Sequence, residues 1–303
     1  MRPVIVLATD DEMRSDRALP VVAALALANQ ARVVAIHVHD QTREPQRRAA
    51  GDAMAARAAW WLGHFGIEAR ADTVTVADGE VAPAITRTAR EQGAFMIALG
   101  SHGYTSLGGV FMGSVSHQVL ALADCQVVIA PGAPGRETLV PAEISKILVA
   151  VDLSPESAAA LAAVERLGPV LRARVMLMHV PDAHFGSGDM SYLEIEDAAR
   201  WLLRRSAHGL RMAGVRADWM IPPGFDSVAD RISRAADEWE ADLLVLGSRR
   251  HRDLASALVG SVVHRLGHLT ARPILIAERP ARRVAAAETE ANERRHLVAL
   301  GET

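Results

Sequence analysis

Short runs of continuous apolar residues alternate along the chain with longer stretches in which apolar positions recur every three or four residues. Continuous runs rich in Val, Ile and Leu predict strands buried on both faces. They fall at 3–9, 33–39, 70–77, 95–100 and 126–130, and again at 146–151, 173–180, 216–221, 242–247 and 273–277. The helical spacing predicts helices at 15–30, 47–65, 80–92 and 114–123, then at 155–168, 191–213, 226–240 and 261–270. Such alternation implies parallel sheet covered by helices on both faces. In sheets of this kind ligands bind beyond the carboxyl ends of the strands, where the strand order reverses. The residues that close each strand are therefore the first candidates for function.

The pattern is also a duplication. Val4–Asp10 resembles Ile147–Asp152, Ala35–Val38 resembles Leu177–Val180, and Ala98–Ser101 resembles Val245–Ser248. Asp10 and Asp152, like Val38 and Val180, stand 142 positions apart, whereas Gly100 and Gly247, like Gly113 and Gly260, stand 147 apart. The second copy is thus a few residues longer in its middle, at the Gly-, Ser- and Asp-containing stretch Pro181–Met190. We assign domains to 1–132 and 146–278, with a linker over 133–145 and a tail over 279–303. The tail repeats nothing. It reads as an Ala-rich helix docking through Leu297, Val298 and Leu300, or as a frayed end.

Composition narrows the class. Half of the 303 residues are hydrophobic and 23% are charged, enough for two ordinary cores. A net charge of −3 and 4% aromatic residues argue against a nucleic-acid surface. Cys125 is the only cysteine, so there is no disulfide framework and no cysteine metal knuckle. The first apolar run, Val4–Ala8, is too short for a signal peptide, and no run reaches membrane length. We expect a cytoplasmic protein without a membrane span.

The most informative stretch lies between a strand end and a helix start: Gly100, Ser101, His102 and Gly103, then nine residues, then Gly113 and Ser114. Glycine lets backbone approach a ligand closely. The first N–H groups of the following helix lack internal partners and favour an anion. No Lys or Arg lies between Gly100 and Gly113. A phosphate chain here is held by backbone N–H groups, by the hydroxyls of Ser101 and Ser114, and by a divalent cation. That suits binding better than fast phosphoryl transfer. From spacing alone, a plain glycine loop closing a βα unit is an equal alternative.

These residues resemble the universal stress protein family, in its tandem form, over nearly the whole chain up to about residue 278. The family's nucleotide signature, Gly, two residues, Gly, nine residues, Gly-Ser/Thr, is matched by Gly100, Gly103, Gly113 and Ser114. The resemblance implies two flavodoxin-like (Rossmann-like) α/β domains, each a five-stranded parallel sheet with helices on both faces. It implies last strands that pair about a two-fold axis, here within one chain, and a homodimer beyond that. It places Asp10 near the nucleoside and Val38 against adenine. The expected ligand is ATP with Mg²⁺, used as a regulatory ligand in a stress response with an unidentified protein partner. The expected protein is not an enzyme, or at most a slow ATPase; a scaffold without nucleotide is the alternative from another class.

The second copy departs from the signature. Asp152, Val180, Gly247, Gly260 and Ser261 are in place, but Arg250 replaces the second glycine, flanked by Arg249 and Arg252. Arg250 either fills the phosphate site and keeps this copy empty, which we favour, or recruits another anion. In the first copy Asp11 and Glu12 follow Asp10; they either collect a divalent cation or are solvated charges, the latter preferred for Glu12.

Other constellations carry less. His37 and His39 share one side of a strand and read as strand-end or surface histidines. His264 and His268 are four apart on a helix but lack the intervening Glu of a zinc protease. Asp10, His102 and Ser101 or Ser114 lack the elbow of a hydrolase triad. Trp60, Trp61 and Trp201 read as core or interface packing.

Overall fold

The computed structural model describes residues 2–10, 14–42, 47–77, 79–100, 113–130, 140–152, 154, 157–181, 192–224, 226–248 and 261–278. In chain order the strands are β1 (Val4–Thr9), β2 (Arg32–Asp40), β3 (Ala69–Val76), β4 (Met96–Gly100), β5 (Gln126–Ala130), β6 (Lys146–Ala150), β7 (Arg174–Met178), β8 (Arg216–Met220), β9 (Leu243–Gly247) and β10 (Ile274–Ala277). The helices are α1 (Leu19–Asn29), α2 (Arg48–His64), α3 (Val81–Glu91), α4 (Ser114–Leu122), α5 (Ser157–Leu171), α6 (Tyr192–Met212), α7 (Val228–Glu238) and α8 (Ser261–Leu269).

All ten strands form one sheet in the order β3-β2-β1-β4-β5-β10-β9-β6-β7-β8. Each copy contributes five parallel strands, and the copies join through β5 and β10, which pair antiparallel with Leu275 opposite Val128. The strands are apolar runs because both faces are covered. Ile5, Leu7, Ile36, Met96, Ile129, Ile147, Leu148 and Leu177 are fully buried, each worth about 1.5–3 kcal/mol of apolar burial. One core joins α1, α2, α5 and α6 to a face of the sheet; the other joins α3, α4, α7 and α8 to the opposite face. Both cores contain residues of both copies. The segment before β6 is tied to the first copy, with Ala142 N–H donating to Pro20 O at 2.9 Å.

The ten strands and eight helices predicted for the two copies are all present, with bounds corrected at informative places. The helix predicted from 15 opens instead as a 3-10 turn, Arg14–Ala18, with α1 starting at Leu19. Pro20 explains this: it has no N–H to give a preceding turn and fits only the first turn of a helix. The helix predicted to stop at 168 runs through Pro169 to Leu171. Arg172, at φ 53°, then closes it, with Ala173 N–H donating to Gly168 O at 3.0 Å. Strands predicted to reach 180 and 221 end earlier, at Met178 and Met220. Prolines 181, 222 and 223 follow them and cannot donate to a ladder. The tail and the loop residues 101–112 and 249–260 lie outside the described residues.

Candidate functional site

The strand order reverses between β1 and β4, with β2 and β3 on one side and β5 on the other. Register fixes what meets there. Thr9 lies opposite His37, so Asp10 and Val38 follow at the same level; Leu99 lies opposite Ala8, so Gly100 ends β4 beside them. Asp10, Val38 and Gly100 are all half-buried. α4 returns from the loop with Gly113 as its N-cap at φ −67°, ψ 162° and an exposed Ser114 as its first residue. Among the described residues no side chain caps this helix; its first internal bond is His117 N–H to Gly113 O at 3.1 Å. Its first-turn N–H groups point out of the carboxyl edge of the sheet, where an anion is favoured. The structure thus brings Asp10, Val38, Gly100, Gly113 and Ser114 to one carboxyl edge of the sheet, at the strand-order reversal. Ser101 and Gly103, with His102, Asp11 and Glu12, lie outside the described residues.

The second copy repeats the frame with different chemistry. Gly247 ends β9, Ser261 opens α8, and Asp152 and Val180 follow β6 and β7. Arg250, Gly260, Arg249 and Arg252 lie outside the described residues. The Asp152 carboxylate is engaged locally. It accepts from Ser154 N–H at 3.0 Å, from the Ser154 hydroxyl, and from the Ser157 hydroxyl at 2.7 Å. Asp152 N–H in turn donates to Ser157 Oγ at 2.8 Å, which ties the strand end to the first residue of α5. Beside it a cavity of about 520 Å³ is lined by Asp152, Ser154, Ser157, Leu161, Trp201 and Leu202.

Several side chains differ from expectation. His37 and His39 do share a side of β2, but both are buried rather than on the surface. Among the described residues neither ring nitrogen of His37 has a hydrogen-bond partner. The ring lies against Gly51 of α2, where a Cβ would come within 2.0 Å of Nε2. Its counterpart His179 is held through Nδ1 against Val151 O at 3.0 Å. Burial pushes the His179 pKa down, and Arg231 adds to that; the Val151 carbonyl and Asp152 oppose it. Core packing describes only Trp61, which packs on the α1/α2 core and 4.7 Å from Phe65, centre to centre. Trp60 and Trp201 are 72% and 60% exposed. They face away because the buried stripes run through Ala55, Ala58 and Leu62 in α2 and Leu203, Ala207 and Leu210 in α6. Arg205 stands over the Trp201 ring at 5.1 Å.

His264 meets His117 across the β5–β10 seam, ring centres 4.9 Å apart, and His268 lies 4.7 Å from His264. Burial, then the two neighbouring imidazoles, push the His117 pKa down. Among the described residues no group of three or more His, Cys, Asp or Glu is placed to hold a metal ion. No described helix is long and apolar enough to cross a membrane.

Comparison with known proteins agrees with this frame. The family model described as "Universal stress protein family" matches residues 1–131 and again 143–278. The universal stress protein YxiE of Bacillus subtilis is 42% identical over 60 residues, spanning 20% of this chain and 40% of that relative. A universal stress protein of Archaeoglobus fulgidus DSM 4304 superposes with a TM-score of 0.71 at 20% identity, over 92% of this chain and 99% of that one. A putative universal stress protein of Pseudomonas aeruginosa UCBPP-PA14 gives 0.60 at 17% identity, over 92% and 94%. At these identities the two structural likenesses speak for the fold.

Proposed function

The chain belongs to the universal stress protein family, and from that premise we propose that its first copy binds ATP as a regulatory ligand. One observation carries the reading: Asp10, Val38 and Gly100 meet at a strand-order reversal, at the same edge as an α4 N-terminus that no side chain among the described residues caps. In this reading adenine lies against the Val38 backbone, the sugar near the Asp10 carboxylate, and the phosphates over Gly100–Ser114. Free N–H groups and a helix dipole hold the phosphates, with Ser101 and Ser114 hydroxyls and Mg²⁺ sharing the charge. No Lys or Arg of the 100–113 stretch is available to stabilise a departing phosphoryl group. Turnover is accordingly slow, and the nucleotide acts by ordering the loop and biasing association with a protein partner. Titration of the full chain with a fluorescent ATP analogue and Mg²⁺ tests this. Saturable binding that Gly113→Val removes supports it; no saturable binding by folded protein ends it.

A further inference from the structure

The two copies end their second and third strands differently. In the first, β2 and β3 stay paired to the edge of the sheet, with His39 opposite Thr75 and Asp40 opposite Val76, and Gln41 N–H donating to Val76 O at 3.2 Å. In the second, regular pairing stops at Met178 opposite Met220, with one more bond from His179 N–H to Met220 O at 3.3 Å. The sheet registers put Pro181 where the first copy has His39, and Pro222 and Pro223 where it has Val74 and Thr75. None of these prolines has an N–H to give, so a ladder cannot continue through them. Their carbonyls would be left at a half-covered edge, where an unsatisfied acceptor is costly.

One side chain resolves this. Arg231 of α7 is only 4% exposed. Its Nη1 donates to Pro181 O at 3.2 Å and its Nη2 donates to Pro222 O. A guanidinium is suited to the task, since it is planar, always charged and presents donors in fixed directions. α3 and α7 align residue for residue, Val81 with Val228 and Ile85 with Ile232, so Arg231 takes the place of Ala84. Ala84 is fully buried, and its methyl group contributes nothing polar to the first copy's edge. Val180, next to the carbonyl that Arg231 holds, is 8% exposed, whereas its counterpart Val38 is half-buried.

We propose that Arg231 stands in for the missing end of the β7–β8 ladder and in doing so closes the second copy's strand-end crevice to an adenine ring. Arg231 is then a positioning residue that decides, with the loop residue Arg250, which copy takes nucleotide. The closing role rests on the nucleotide reading above; the ladder role does not. Adenine approaching Val180 as it approaches Val38 would meet a buried guanidinium that already donates through Nη1 and Nη2 to the carbonyls of Pro181 and Pro222. Replacing Arg250 alone therefore leaves the second copy shut.

Two measurements on the full chain test this. In hydrogen–deuterium exchange, Arg231→Ala is expected to speed the amides of His179, Val180 and Ile221 by about tenfold or more, consistent with loss of two buried hydrogen bonds. Arg231→Lys, which reaches one carbonyl, falls between. Wild-type exchange in both variants overturns the ladder role. If Arg231→Ala unfolds the second copy, the Lys variant decides, intermediate exchange supporting the role and wild-type exchange overturning it. In titration with the fluorescent ATP analogue, Arg250→Gly is expected to keep one site per chain and Arg231→Lys/Arg250→Gly or Arg231→Ala/Arg250→Gly to gain a second, weaker one. Two sites in Arg250→Gly alone overturns the closing role, as does a single site in a folded double variant. If the unmodified protein binds no nucleotide, the function proposed above and the closing role fail together, while the exchange result still stands or falls by itself.

Discussion

The first copy carries Asp10, Val38 and Gly100 near its strand ends, beside a β2–β3 ladder that runs to Asp40 and Val76. The second carries Asp152, Val180 and Gly247 in the same frame, but its ladder stops at Met178 and Met220 and prolines follow. One sheet thus holds two edges that share backbone topology and differ in what the edge can accept. Around Asp10 the strand ends share an edge with the N-terminus of α4, which no side chain among the described residues caps. Around Asp152 the carboxylate is bound to Ser154 and Ser157, and a buried guanidinium holds the neighbouring carbonyls. The lesson is that duplication preserved the parts that build the core and left the strand ends to diverge. Those ends contribute little to burial and nearly everything to binding.

The comparison breaks most readily at the proposed anion cradle. Gly113→Val, which places branched carbons at the N-cap of α4, is expected to lower affinity for the fluorescent ATP analogue by about 100-fold or more, roughly 2.7 kcal/mol or more. The matching Gly260→Val is expected to leave binding unchanged. Equal losses from the two substitutions would mean that both copies bind, and the asymmetry would be gone.

A second contrast lies beneath the site. Gly51→Ala drives a methyl group into the His37 ring, and such overpacking costs about 1–3 kcal/mol. Thermal unfolding of the variant should begin at a clearly lower temperature than the parent. An unshifted midpoint would show that the His37 ring moves aside freely. Third, Ser157→Ala removes the hydroxyl that links Asp152 to α5 and is expected to cost about 1 kcal/mol in urea unfolding. It should leave first-copy nucleotide affinity as it was. A change in that affinity would couple the two edges.

The smallest effect is a pH dependence. His117 and His179 both titrate below their ordinary value of 6.5 in the folded chain. The unfolded chain therefore binds more protons in the window from 6.5 down to the lowered values. Stability is full above that window and falls as the pH drops through it. Urea midpoints measured from pH 7.5 downward should decrease through this range, and His117→Gln should flatten part of the slope. A rising midpoint would contradict the assignment of neutral, packed imidazoles at the seam.

Much of this architecture was legible in sequence, because parallel strands buried on both faces must be continuous apolar runs and the chain repeats them. Strand ends were less so. The runs at 173–180 and 216–221 read as unbroken because periodicity does not register where a neighbour's N–H is missing. The available signal was Pro181, Pro222 and Pro223 standing where the first copy has His39, Val74 and Thr75. Arg231 was missed because a mid-helix arginine ordinarily faces solvent; only its alignment with Ala84 marked it as unusual. Gly51 was missed because a helical glycine reads as a mild defect until the imidazole it accommodates is in view. Of the proposed binding residues, Gly100, Gly113 and Ser114 were read from spacing and Asp10 and Val38 from the family resemblance, and the topology brings all five positions to the strand ends at the reversal.

The most direct test of the account is nucleotide stoichiometry by native mass spectrometry of the full chain with Mg²⁺ and ATP. The account predicts one nucleotide per chain, lost in Gly113→Val and retained in Gly260→Val. Two nucleotides per chain, none at all, or a single one that disappears with Gly260→Val would contradict it.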